Sequence, residues 1–163
     1  MKIIYTDFIN VLQEILYNIK EDIEKNFNDA TECLRKLLIL IIDTYTEFVD
    51  SAKDLKDLSD GKRNIIILKL TESVLMLKCL VYSLLYYDRA FKMRNVINYN
   101  YNFYLAIFYL KYMSLNCILP HSVRAILLAL LNHFTDNFQR IFCIVKEAKK
   151  EQHDVDWTEM DIT

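Results

Sequence analysis

A single glycine, Gly61, and a single proline, Pro120, interrupt 163 residues. Average usage of about 7% Gly and 5% Pro would give roughly twenty such residues. Sandwiches and barrels need a turn residue every ten positions or so. Dinucleotide and phosphate loops need several glycines within one short stretch. Both classes are excluded, as are collagen-like and Pro-rich or Gly-rich disordered chains. Long helices with few connections remain. A hydrophobic content of 53% supplies ample surface to bury, so disorder of the whole chain is excluded too.

Apolar periodicity predicts five helices. The first covers about 6–27, with Phe8, Val11, Leu12, Ile15, Leu16, Ile19 and Ile23 on one face. The second starts at Asp29, where Asp29-Ala30-Thr31-Glu32 has capping-box spacing, and reaches about Leu58. Its stripe is Leu34, Leu37, Leu38, Ile41, Tyr45, Phe48, Val49, Ala52 and Leu55. Gly61 is then expected to end that helix in a left-handed conformation. The third runs from about Arg63 into the low 90s. Its apolar positions cover most of the circumference, leaving a narrow strip of Lys69, Glu72, Ser73 and Lys78. A helix of that kind sits inside its domain. The β-branched run Ile65-Ile66-Ile67-Leu68 has a strand as its alternative.

Asn98-Tyr99-Asn100-Tyr101-Asn102 has poor helix propensity and reads as a break. The fourth helix follows to about Cys117, with Phe103, Ala106, Ile107, Leu110 and Met113 inward. The fifth opens near Pro120 and ends at Lys149-Lys150. The expected fold is therefore all-α: one domain over 1–150, about five helices with the third largely buried, and an acidic tail over 151–163.

Charge is uneven. Residues 1–60 hold 7 basic and 13 acidic groups, residues 61–150 hold 13 and 4, and the tail holds five acids and no base. Acidic early helices beside basic later ones account for this, as does a basic face for an acidic partner. No basic run supports nucleic acid. Every stretch long enough to cross a bilayer carries charge or asparagine, and the first residues lack the apolar core of a signal peptide. A cytoplasmic location is expected. Cys33, Cys79, Cys117 and Cys143 lie among apolar neighbours, which suits buried thiols; two disulfides would allow three pairings.

Signals for chemistry are weak. None of His121, His133 and His153 follows a Glu by three positions, and no His-Glu-x-x-His occurs. A Gly-x-Ser-x-Gly elbow is impossible with one glycine. Asp43, Glu47 and Asp50 form an acidic ridge that suits solvent. Gly61-Lys62-Arg63 resembles an anion site but has no second glycine to build a cradle. No catalytic, metal or cofactor-binding residue is assigned.

The distinctive feature is aromatic. Eleven residues between Tyr82 and Tyr112 are Tyr or Phe, spread over every helical phase, so they cannot all face one core. Tyr86, Tyr87, Phe91, Tyr99, Tyr101 and Tyr104 are the candidate partner-binding residues. Trp157, among the acids of Asp154-Val155-Asp156-Trp157-Thr158-Glu159, joins them as a short peptide ligand for a basic groove, the alternative being a solubilising tail. The expected function is a non-enzymatic protein-interaction module, binding a partner helix or a second copy as a homodimer. The alternative is a bundle holding a small apolar ligand or lipid between the third, fourth and fifth helices. A buried helix wrapped by amphipathic ones is also the layout of Bcl-2-like proteins, including viral ones. By fold-level analogy the module would then regulate apoptosis or innate signalling. The Asn-Trp-Gly-Arg segment of that family is absent, so no membership is claimed.

Overall fold

The computed structural model describes residues 5–26, 32–55 and 57–132, the side chains of Glu32, Cys33 and Phe91 excepted. These residues form an all-α bundle of five helices without strands: α1 Tyr5–Asn26, α2 Glu32–Ser51, α3 Asp60–Lys92, α4 Val96–Asn116 and α5 His121–Asn132. The expected second-helix start at Asp29, the fifth helix beyond Asn132, and the tail with Trp157 lie outside the described residues.

The helices alternate in direction. Tyr5 at the start of α1 donates its hydroxyl to the Ala52 carbonyl (2.6 Å), and Lys20 pairs with Asp43 at 2.9 Å. Those ties set α1 antiparallel to α2. Arg63 stacks over the Tyr5 ring at 6.0 Å, and the Tyr82 hydroxyl donates to the Asp22 carboxylate, so α3 runs parallel to α1. Tyr112 donates to Glu72 (2.6 Å), and Tyr87 meets Tyr99, so α4 returns antiparallel along α3. Arg124 of α5 donates to the carbonyls of Ser114 and Cys117 and fixes the last corner.

The core is continuous across all five helices. Ile9, Leu12, Leu16, Ile19 and Ile23 bury one face of α1, while Phe8 and Val11 are exposed. Leu12, Leu16, Ile19 and Ile23 belong to the expected stripe and Ile15 packs at its edge; Ile9 takes the place of Phe8 and Val11. From α2 come Leu34, Leu37, Leu38, Ile41, Tyr45, Phe48 and Val49. α3 lies between α1 and α4 and buries Ile67, Leu70, Val74, Leu77, Val81 and Leu84, together with Ile66 and Leu80. Ile65 to Leu68 are helical, which removes the strand alternative. α4 buries Ala106, Leu110 and Met113, with Phe103 and Ile107 only half-buried.

Three boundaries differ from expectation. α2 stops at Ser51. Its last turn tightens through Ala52 N–H to Val49 and Lys53 N–H to Asp50 (3.0 and 3.1 Å). The Ser51 hydroxyl takes the Phe48 carbonyl at 2.6 Å, and Asp50 lies at the negative end of the helix dipole. Gly61 does not close α2 and has no positive φ; it sits in the first turn of α3. Ser59 is the reason: its hydroxyl caps the Lys62 N–H and its carbonyl accepts Arg63 N–H at 3.0 Å. The asparagine run is helical, not a break. Asn95 caps α4 by accepting from Asn98 N–H at 3.2 Å, and Asn102 donates to the Asn98 carbonyl. Asparagine costs a helix only tenths of a kcal/mol per residue, less than the packing of Tyr99 and Phe103 on Tyr87 returns.

The turn between α3 and α4 falls on Arg94, with φ 54°. Asn95 N–H reaches back to the Ala90 carbonyl at 2.9 Å, the bond that closes a helix through one left-handed residue. Glycine normally holds that position.

Candidate interaction surface

α4 carries two apolar faces. One, through Ala106, Leu110 and Met113, enters the core. The other recurs at the same helical spacing through Ile97, Tyr101, Tyr104, Phe108 and Leu115, whose exposures run from 56% to 81%. α3 has a matching outer line of Leu68, Glu72, Leu75, Cys79, Tyr82 and Tyr86. Its polar members are tied sideways: Glu72 accepts from Tyr112 of α4, and Tyr82 donates to Asp22 of α1. Leu68 (69%), Leu75 (47%) and Tyr86 (49%) face solvent. At the register fixed by Glu72 and Tyr112, Leu75 lies level with Phe108, and Leu68 with Leu115. The two helices thus present one apolar and aromatic surface, where Phe108 also stacks on Tyr112 with ring centroids 6.2 Å apart.

The candidate residues divide into two groups. Tyr101 and Tyr104 lie on the outer face of α4. Tyr86, Tyr87 and Tyr99 gather at the α3–α4 turn. Tyr87 and Tyr99 stack with centroids 4.5 Å apart and share a hydroxyl–hydroxyl bond of 2.7 Å, so both hold the hairpin together. Tyr86 stays exposed beside the Arg89 guanidinium, 5.8 Å from its ring. Phe91 belongs to α3, and its side chain, like Trp157, lies outside the described residues. Sequence reasoning passed over Ile97, Phe108, Leu115, Leu68 and Leu75 as site residues. For α4 the signal was present: 97-101-104-108-115 is a second stripe opposite 102-106-110-113.

Two cavities open at the turn, on either side of Ala90 and Asn95. One, of about 340 Å³, is lined by Ala90, Arg94, Asn95, Val96 and Tyr99. The other, of about 260 Å³, is lined mainly by Tyr86, Arg89, Met93, Asn98 and Asn102. They lie at the turn, not between α3, α4 and α5. Asp88 is the sole acid between Tyr82 and Asn102 and is taken by Lys92 at 2.6 Å, which leaves the tip positive.

The electrostatics of single groups are set by local partners. The Glu72 carboxylate raises the Tyr112 hydroxyl by accepting its hydrogen bond. Burial, then the Cys79 thiol, raises Tyr109. Cys117 is buried and its thiol is pushed up by that burial, which disfavours the nucleophilic thiolate. Cys79 is exposed, contrary to the expectation for the cysteines. Its position on the outer line of α3 explains this. Among the described residues no group of three or more His, Cys, Asp or Glu could hold a metal ion, and no helix is long and apolar enough to cross a membrane.

In comparisons with known proteins, the chain matches no family model, no curated protein and no solved structure.

Proposed function

We propose that this chain is a non-enzymatic helical interaction module that binds a protein partner, or a second copy of itself, through the outer face of the α3–α4 hairpin. The observation that supports the reading is the second apolar stripe of α4: large side chains at helical spacing, turned away from the core that the five described helices share. Covering Leu68, Leu75, Tyr104, Phe108 and Leu115 would contribute roughly 10 kcal/mol of gross apolar burial. Association costs on the order of 4–15 kcal/mol, so this face suits binding that needs further contacts for high affinity. An amphipathic helix is the natural occupant, as it would be for the Bcl-2-like regulator that the layout suggests.

The test is Tyr104→Ala combined with Phe108→Ala. Both side chains are exposed, so thermal stability should stay within about 0.5 kcal/mol of the original. Binding should weaken at least tenfold, about 1.4 kcal/mol, in sedimentation velocity for self-association and in affinity capture compared side by side. Unchanged association and an unchanged set of captured proteins would remove the reading. The cavity of about 340 Å³ favours the second reading, a small apolar ligand, and native mass spectrometry of the purified chain with a bound small molecule would support it.

A further inference from the structure

The two hairpins of the bundle carry opposite charge. α1 and α2 together hold nine acidic and four basic side chains, and residues 60–116 hold three and eight. The ion pairs Lys20–Asp43, Lys25–Glu21, Arg63–Asp60 and Lys92–Asp88 each stay within one hairpin, so none of them sets the acidic helices against the basic ones. All three acids of residues 60–116 are engaged: Asp60 by Arg63, Asp88 by Lys92, and Glu72 by the Tyr112 hydroxyl. Exposed lysines border the outer face on both sides. Lys111 lies three residues after Phe108 and four before Leu115, on the flank of the strip opposite Tyr112. Lys78 lies one turn before Tyr82, on the flank of α3 that faces α1.

α1 presents the counterpart. Asp7, Glu14 and Glu21 recur every seven residues on the side of α1 opposite the buried Leu12, Leu16 and Ile19. Val11, 52% exposed, stands on one flank of that line, and Tyr17, 66% exposed, stands on the other with Glu24. α1 has 22 residues and α4 has 21, so one can lie along the other for its whole length. We infer that the occupant of the α3–α4 outer face is the α1 side of a second copy, with Val11 and Tyr17 on the apolar strip and Glu14 and Glu24 facing the lysines at its edges. The inference rests on the proposed function, since it takes that face as an interaction surface and names what covers it. The apolar strip needs further contacts for high affinity. Opposite charges at its edges supply them and select which side of the second copy docks. The offered and receiving surfaces differ, so the contact is heterologous.

Sedimentation velocity of the full chain tests this. The parent should associate as concentration rises, and less so at high salt, where exposed charges are screened. Lys78→Glu with Lys111→Glu should weaken association about tenfold, and so should Glu14→Lys with Glu24→Lys. All four side chains are exposed, so far-UV circular dichroism of both variants should match the parent. Mixed one to one, the two variants should regain the association of the parent, because each reversed surface then meets one of opposite sign. Three results would overturn the inference: a parent that stays monomeric at every concentration, a mixture no more associated than its components, or association that survives Glu14→Lys with Glu24→Lys. Capture of a different protein, lost with Tyr104→Ala and Phe108→Ala but indifferent to the α1 reversals, would keep the proposed function while removing this inference.

Discussion

Thr44 offers the sharpest check on the packing. Its side chain is 1% exposed on the buried face of α2, and its hydroxyl has no hydrogen-bond partner among the described residues. A buried hydroxyl without a partner costs about 1–3 kcal/mol of desolvation. Thr44→Val replaces that hydroxyl by a methyl of similar size, so no cavity opens. Both residues are β-branched, so helix propensity barely changes. Ordinarily this substitution destabilises, because it removes a bond. Here it should stabilise by about 1–2 kcal/mol, or about 2–8 °C in Tm for a chain of this length. Urea denaturation followed by circular dichroism should show a midpoint raised by roughly 0.5–1 M at unchanged slope. Thr46→Val is the internal control. The Thr46 hydroxyl donates to the Ile42 carbonyl at 2.7 Å and is only half-buried, so the same change should be neutral or slightly destabilising. A lowered midpoint for Thr44→Val, or equal effects at the two sites, would refute the reasoning.

Two further outcomes follow from the structure. Arg94→Gly removes a left-handed conformation that costs an L-residue roughly 1–2 kcal/mol and adds unfolded-state entropy worth about 0.4–1 kcal/mol; a net gain of about 0.5–1 kcal/mol in the same urea assay is expected, and a loss would show that the arginine side chain stabilises the turn. Burial holds the Tyr5 hydroxyl up at about 12 against the pull of Arg63, and the Asp22 carboxylate holds Tyr82 at about 12. Unfolded tyrosines titrate near 10, so the folded state keeps these protons longer. Their contribution is complete below about pH 10 and is lost as pH rises to about 12. Stability measured across that window should fall, and should fall less for Tyr82→Phe; a flat profile would contradict both assignments.

The sequence revealed some of this far better than the rest, for physical reasons. The core of α2 and the stripe from Ile67 to Leu84 of α3 were legible, because a 3.6-residue period survives any choice of boundary. The ends were not. At Ser51, Ser59 and Asn95 a single side chain competes for a backbone group, and the winner depends on which carbonyl or amide is free. Gly61 misled for that reason: its freedom is real, but Ser59 had already capped the next helix. The aromatic surplus pointed to rings outside the core, as Tyr86, Tyr101, Tyr104 and Phe108 are, since eleven rings over every phase exceed one core. Which rings face outward needed the register, because only the Glu72–Tyr112 and Tyr87–Tyr99 ties show that Tyr99 turns inward while Tyr104 and Phe108 turn out. Ser73 shows the reverse error. It reads as polar strip, yet it is buried and donates its hydroxyl to the Lys69 carbonyl.

α3 is one uninterrupted rod of 33 residues, about 50 Å long. Near one end it carries the Tyr5–Arg63 contact with α1, and at the other the turn with its two cavities. A rod without a hinge transmits torque. Rolling α3 about its axis would slip it against both α1 and α4, among the described residues, and would break the Tyr82–Asp22 and Tyr112–Glu72 ties. One unbroken helix backbone therefore joins the Tyr5–Arg63 contact at one end of the bundle to the α3–α4 turn at the other.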